Sequence, residues 1–269
     1  MNICFVGGGN MATAMIIGLR DKTFTSQQIS VVEINADNRA RLQRDFSVRV
    51  FEHMAEGVTG SDIIVLAVKP QQLREVAKQL SPLLSSQLII SIAAGIRATD
   101  IARWLKTQNI VRAMPNTPAL ISSGMTGLYA LSAVNAANRN LAESTLSSVG
   151  KILWLQDEAM LDAVTAISGS GPAYVFYFIE ALQQAAQNMG FNADEARRLS
   201  IETFLGASKL AESSSEDVSV LRTRVTSKNG TTERALLFMA ANQVAEHIAQ
   251  AAQAAQTRSR EMGDELGKE

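Results

Sequence analysis

The segment that most constrains the fold comes first in the chain. An apolar run from Asn2 to Val6 leads straight into Gly7-Gly8-Gly9-Asn10-Met11-Ala12, and a helical pattern extends from Met11 to Arg20. Gly7, Gly9 and Ala12 fall on the GxGxxG/A spacing. In that pattern the first glycine turns the chain sharply, the second lets backbone approach a pyrophosphate, and the small third residue permits close helix–strand packing. The helix start, with Asn10 and Met11, then offers its unpaired N–H groups to the anion. A second β-branched run, Ile29 to Glu33, completes the strand–helix–strand unit that such a loop requires.

The same rhythm continues through the first half. Strands are expected over Asp62 to Val68, Leu88 to Ala93, Ile110 to Met114, Gly127 to Ala130 and Lys151 to Leu155. Several are apolar almost throughout, as strands covered on both faces are, with helices such as Gln71 to Leu80 and Thr99 to Lys106 as cover. The pattern predicts an α/β fold with a mostly parallel sheet. Beyond about Asp157 it turns helical, over Ala159 to Gln187, Ala193 to Ser213 and Thr232 to Thr257. Two domains follow, residues 1–157 binding a dinucleotide and residues 158–269 helical. The many small residues of the helices suit close packing on a second copy of the chain.

Composition narrows the function. With 46% apolar and 19% charged residues over 269 positions, the chain can build a substantial core. A formal net charge of -1 gives no electrostatic reason to expect nucleic acid or an anionic membrane as partner. The single cysteine, Cys4, lies in the first apolar run and suits a reducing compartment. No run approaches the roughly 18 apolar residues of a membrane span, and the amino terminus lacks the basic start and long apolar stretch of a secretory signal. A cytoplasmic enzyme acting on a small molecule, without a metal, is expected.

Candidate site residues cluster at the ends of strands. Past the second strand, Glu33 fits the ribose hydroxyls of NAD, whereas Asn35 and Arg39 fit a 2′-phosphate if the strand runs on to Ile34. Ala67, Val68, Lys69 and Pro70 close the third notable strand at the carboxyl edge, where open α/β sheets bind ligands. Ala93 and Gly95, and then Asn116 between two prolines, close the next two strands and are expected along the same crevice. In the helical half, Ser168 to Tyr174 ends with Pro172 placed to begin a helix. The polar turn Val225 to Glu233 precedes another. Successive N–H groups there make a carboxylate site, with hydroxyls from Ser227, Thr231 and Thr232.

Gly7 to Ala12, Ala67-Val-Lys-Pro-Gln71, Arg112 with Met114 to Pro118, Ser168 to Tyr174, and Val225 to Thr232 together resemble pyrroline-5-carboxylate reductase, in order along nearly the whole chain. That resemblance implies a Rossmann-type doubly wound domain followed by a helical substrate-binding and dimerisation domain, a homodimer, and a larger ring of dimers. It implies reduction of 1-pyrroline-5-carboxylate to L-proline with NADPH or NADH, the last step of proline biosynthesis. By position, the N–H groups of Gly230 and Thr231 would hold the substrate carboxylate, with Ser227 and Asn229 in the same loop. The Thr232 hydroxyl would bond the ring nitrogen, and Asn116 with Ala67 to Pro70 would touch the cofactor. One departure is Lys228-Asn229, where the family usually has Pro-Gly or Lys-Gly; asparagine accepts the left-handed conformation such a turn needs. Neither histidine, His53 nor His247, falls in a candidate segment. A protonated C=N bond is already an electrophile, so positioning can replace a strong general acid.

Overall fold

The computed structural model describes residues 1–268, with only the backbone of Asp21. The elements of the first half are β1 (Ile3–Val6), α1 (Asn10–Lys22), β2 (Ile29–Val32), α2 (Ala36–Phe46), β3 (Arg49–Phe51), α3 (Met54–Val58), β4 (Ile63–Leu66) and α4 (Pro70–Leu80). They continue with β5 (Leu88–Ser91), α5 (Ala98–Leu105), β6 (Ile110–Met114), β7 (Gly124–Ala130), α6 (Ala136–Leu146), β8 (Gly150–Trp154) and α7 (Met160–Val164). The remainder is helical: α8 (Gly171–Asn188), α9 (Ala193–Ser213), α10 (Val218–Arg224), α11 (Thr231–Ala241) and α12 (Val244–Leu266).

Among the described residues the strands form one eight-stranded sheet, ordered β3-β2-β1-β4-β5-β6-β7-β8. The pairs from β3 through β6 are parallel; β7 runs antiparallel to β6, and β8 parallel to β7. Alternation along each strand feeds two cores. Ile3 and Phe5 pack with Met15, Ile16 and Leu19 of α1 on one face. Cys4 and Val6 pack with Leu73 and Ala77 of α4 and Ile101 of α5 on the other. Double burial explains why β1 and β4 read as unbroken apolar runs and β2 and β5 as runs with one serine each.

Several elements differ from expectation. Helix α2 buries only Leu42 and is polar or charged over most of its other positions, so it lacks the apolar content that marks a helix in the sequence. The short β3 and the polar α6 were likewise absent from the sequence reading, and β7 starts three residues early at Gly124, whose neighbours are small or polar. The helical run expected over Thr232 to Thr257 is two helices. Gln243 at φ 54° breaks it, after Asn242 caps α11 with its side-chain amide on Phe238 O at 2.8 Å.

The chain divides into two compact units, Met1–Ser170 together with Ala255 to the end, and Gly171–Ala254. This differs from a division at 157/158. Residues 158–170 and the last turns of α12 join the first unit through long-range contacts. Ser259 Oγ donates to Asp162 Oδ1 at 2.6 Å, Arg97 pairs with Asp264, and Arg103 Nη2 donates to Gly267 O at 2.8 Å.

Candidate active site

Strand order reverses beside β1, with β2 on one flank and β4 on the other, and the loops after β1 and β4 part there. A crevice of about 670 Å³ opens between them, lined by Gly7, Gly8, Gly9, Ala67, Val68 and Lys69 among others. Hydrogen bonds hold its walls: Gly7 N donates to Val32 O and Ala67 N to Val6 O, both at 2.8 Å. Gly7 has φ 100°, and a Cβ on it would lie 2.7 Å from Ala67 O. The fold itself therefore demands glycine at 7.

Gly9 differs, because a Cβ there would meet no protein atom within 4 Å. Packing does not require glycine at that position. Gly9 is the N-cap of α1 and no side chain caps it, so the first N–H groups of Asn10, Met11 and Ala12 lead into open crevice. Ala12 is buried against the sheet. Uncapped N–H donors and a loop free of side chains suit an anion. Pro70 begins α4 immediately behind Lys69, which is that helix's N-cap and is exposed.

Strand β2 ends at Val32, so Glu33 is the first residue past it. Its carboxylate turns back on the glycine loop. Glu33 Oε2 accepts from Gly8 N at 3.1 Å and Asn38 Nδ2 at 2.8 Å, and Oε1 accepts from Asn35 N at 2.9 Å. Asn35 caps α2 through its Oδ1, which accepts from Asn38 N at 2.8 Å. Arg39, expected as a phosphate ligand, faces elsewhere: it donates to Glu33 O and Ile34 O at 2.7 and 2.9 Å and pairs with Glu52 at 2.8 Å. Gly8 was not singled out by the spacing. A Cβ on it would lie 2.5 Å from Leu42 Cδ1 and 3.1 Å from Glu33 Oε2, so a larger residue there would have to displace the Leu42 side chain.

At the ends of β5 and β6 the expected residues have packing or hydrogen-bond partners within the fold. Ala93 is buried, and Gly95, at φ 80°, leaves room for α12, where a Cβ would lie 3.1 Å from Met262 Cβ. Asn116 is committed through its side chain: Nδ2 donates to Ser168 O at 2.9 Å, and Oδ1 accepts from Met125 N at 2.9 Å. The Ser168 carbonyl belongs to a π-helical turn over Thr165–Gly169, whose wider winding gives up regular i→i−4 bonds. Beside it, Arg112 Nη1 pairs with Glu158 Oε1 at 2.5 Å, with side chains only 8% and 19% exposed. Glu158 Oε1 also accepts from Ala98 N at 2.6 Å. Glu158 went unnoticed in the sequence because it lies 46 residues from its partner and in no motif.

The polar turn of the second unit is built as the sequence demands. Asn229 stands at φ 60°, and Gly230 N closes the turn on Ser227 O at 2.9 Å. A Cβ on Gly230 would lie 2.9 Å from that same oxygen. Gly230 is the N-cap of α11 without a side-chain cap, and the first helical bond is Arg234 N to Gly230 O at 3.2 Å. The N–H groups of Thr231, Thr232 and Glu233 thus precede the helical ladder, and both threonines are exposed. The Glu233 carboxylate accepts from Asn229 N at 2.7 Å, steadying the turn.

The chain matches the family model for pyrroline-5-carboxylate reductase dimerisation over residues 158–262, and over residues 2–95 that for NADP oxidoreductase, coenzyme F420-dependent. It is 45% identical to the pyrroline-5-carboxylate reductase of Pseudomonas aeruginosa, covering 99% of this chain and 98% of that one. The chain belongs to the pyrroline-5-carboxylate reductases. Its fold follows the solved reductase of Coxiella burnetii with a TM-score of 0.91, at 38% identity over 97% of this chain and 98% of the other. The Plasmodium falciparum reductase, solved with NADP bound, matches at 0.89 and 28% identity over 98% of each chain. The reductase dimerisation model begins at 158, thirteen residues before the second compact unit. Helix α7 and the π-helical turn lie between the two boundaries; they pack on the sheet while belonging to the dimerisation segment.

Proposed function

We propose that this chain reduces 1-pyrroline-5-carboxylate to L-proline with NAD(P)H, closing proline biosynthesis. The observation that carries the reading is the uncapped start of α11 at Gly230, in a chain 45% identical from end to end to a reductase of that name. The bound dinucleotide supplies the hydride. Gly7, Gly9 and the first N–H groups of α1 hold its pyrophosphate, and Ala67 to Pro70 line its path. The free N–H group of Thr231 at the start of α11 binds the substrate carboxylate, while that of Gly230, expected as a second donor, closes the turn on Ser227 O. Thr232 Oγ1 hydrogen-bonds the ring nitrogen to fix the C=N plane. Ser227 and Asn229 shape this turn. No histidine takes part: His53 stands at the N-cap position of α3, without a side-chain cap bond, and His247 sits in α12 beside an apolar cavity with Tyr174 and Tyr177. Catalysis is then chiefly orientation of an already electrophilic iminium.

Assembly completes the reading: a homodimer through the helical segment, joined into a ring of dimers in the cytoplasm. Exposed apolar side chains on α8 and α11 supply the contact surface. Among the described residues, no helix is long and apolar enough to cross a membrane. The decisive assay follows NADH and NADPH oxidation, each with 1-pyrroline-5-carboxylate, and oxidation of neither would refute the proposal. Thr232→Ala should cut kcat about a hundredfold while leaving the dinucleotide Kd nearly unchanged; equal loss of both would remove Thr232 from the ring nitrogen.

A further inference from the structure

We infer that Glu33 makes this chain select NADH over NADPH, an inference that rests on the dinucleotide reading above. Motif spacing left the choice between Glu33 and the pair Asn35 and Arg39. Geometry separates them. Glu33 is the first residue past β2, at the rim of the crevice where the adenosine ribose of a dinucleotide lies in this fold. Three donors hold its carboxylate: Gly8 N, Asn38 Nδ2 and Asn35 N. A carboxylate has about four acceptor positions, so one remains, on Oε1. That position accepts a ribose hydroxyl. It repels a 2′-phosphate, which carries about two negative charges.

A carboxylate on a mobile side chain could swing away from such a phosphate. This one cannot do so without releasing the glycine loop, because Gly8 N and Asn38 Nδ2 share its Oε2. Asn38 is in turn fixed by Arg41, whose Nε and Nη2 donate to Asn38 Oδ1 at 3.0 and 2.8 Å. The nearby cation gives no relief. Arg39 holds two backbone carbonyls and Glu52, and turning it toward a phosphate would break all three contacts and leave Glu52 unpaired at the crevice wall. Of the carboxylates that line the crevice, Glu52 is paired with Arg39 and Glu75 with Lys78, each at 2.8 Å, whereas Glu33 is held by neutral amides and keeps its charge at the rim. The exposed Ile34, next to Glu33 on the lip, offers an apolar face that is indifferent to the 2′ substituent.

The test is binding of NAD⁺ and NADP⁺ to the full-length protein by calorimetry at one ionic strength, beside initial rates with NADH and NADPH. NAD⁺ should bind at least about tenfold more tightly, the scale of one unfavourable close charge contact. Glu33→Gln removes the charge and keeps an acceptor, and should narrow that ratio mainly by tightening NADP⁺. Glu52→Gln frees Arg39 and should narrow it too, without touching the glycine loop; thermal denaturation of both variants verifies the fold. Equal or tighter binding of NADP⁺ by the unaltered protein would overturn the selectivity alone, leaving the reductase reading intact. Binding of neither dinucleotide would overturn both.

Discussion

The two compact units differ in how completely they bury themselves. In the sheet unit every residue of β1, β2, β4 and β5 is buried, and two cores close on its faces. In the helical unit, Gly171–Ala254, the only buried apolar residue among those described is Ala196. Phe176, Tyr177 and Phe238 are 65%, 69% and 70% exposed there. Apolar exposure on this scale marks an interaction surface. A parallel sheet finishes its core within one chain because its own crossover helices cover both faces. The helices of the second unit leave much of their apolar content uncovered within that unit, and the proposed dimer would cover it.

Five measurements sharpen that contrast, beginning with the largest expected effect. The double variant Phe176→Asp with Phe238→Asp should abolish dimer formation at micromolar concentration, since buried unpaired charge opposes association by several kcal/mol. Sedimentation should show monomer; an unchanged dimer would mean the interface lies on another face. Within the sheet unit, Arg112→Ala leaves Glu158 poorly exposed and unpaired, and should cost about 3–5 kcal/mol in denaturant unfolding. A loss below about 1 kcal/mol would show that water replaces the guanidinium.

The two glycines of the crevice separate fold from ligand at finer scale. Gly7→Ala should destabilise the protein by at least about 1–2 kcal/mol through its left-handed backbone alone. Gly9→Ala should leave stability within about 0.5 kcal/mol yet weaken dinucleotide binding roughly tenfold. The reverse pattern would remove Gly9 from the pyrophosphate site. The smallest effect concerns Cys4, which burial pushes up to about 11. Its thiol should resist alkylation at pH 8 in the native state and react only on unfolding. Since the folded value is raised, the associated stability is complete below the ordinary thiol range near 8.5. It is lost as pH rises toward 11.

Much of the site was legible in the sequence where function depends on neighbours along the chain. Gly7, Gly9 and Ala12 act within one strand-to-helix turn. Asn229 and Gly230 act within another, and its left-handed residue follows from the Asn-Gly pair. Side-chain directions were not legible. Arg39 and Glu33 are both polar residues past a strand, and nothing local says that one would face Glu52 and the other the glycine loop. Asn116 appeared as a candidate ligand because it lies between prolines, whereas its amide joins Met125 to a carbonyl that the π-helical turn presents.

The sequence by itself determined the strand–glycine–helix opening, the change from alternating to helical pattern near residue 157, and the two turns able to hold anions. These are set by backbone preference and short-range periodicity, which a few adjacent residues carry. Only the tertiary structure decided that β7 runs against β6, that Gln243 divides the last helical run, and that the end of α12 returns to the sheet unit. It also decided that Glu158 holds Arg112 and that Glu33, rather than Arg39, faces the crevice. Each of these depends on groups brought together from distant segments or on competition among equivalent polar side chains, and packing resolves such choices where local propensity cannot.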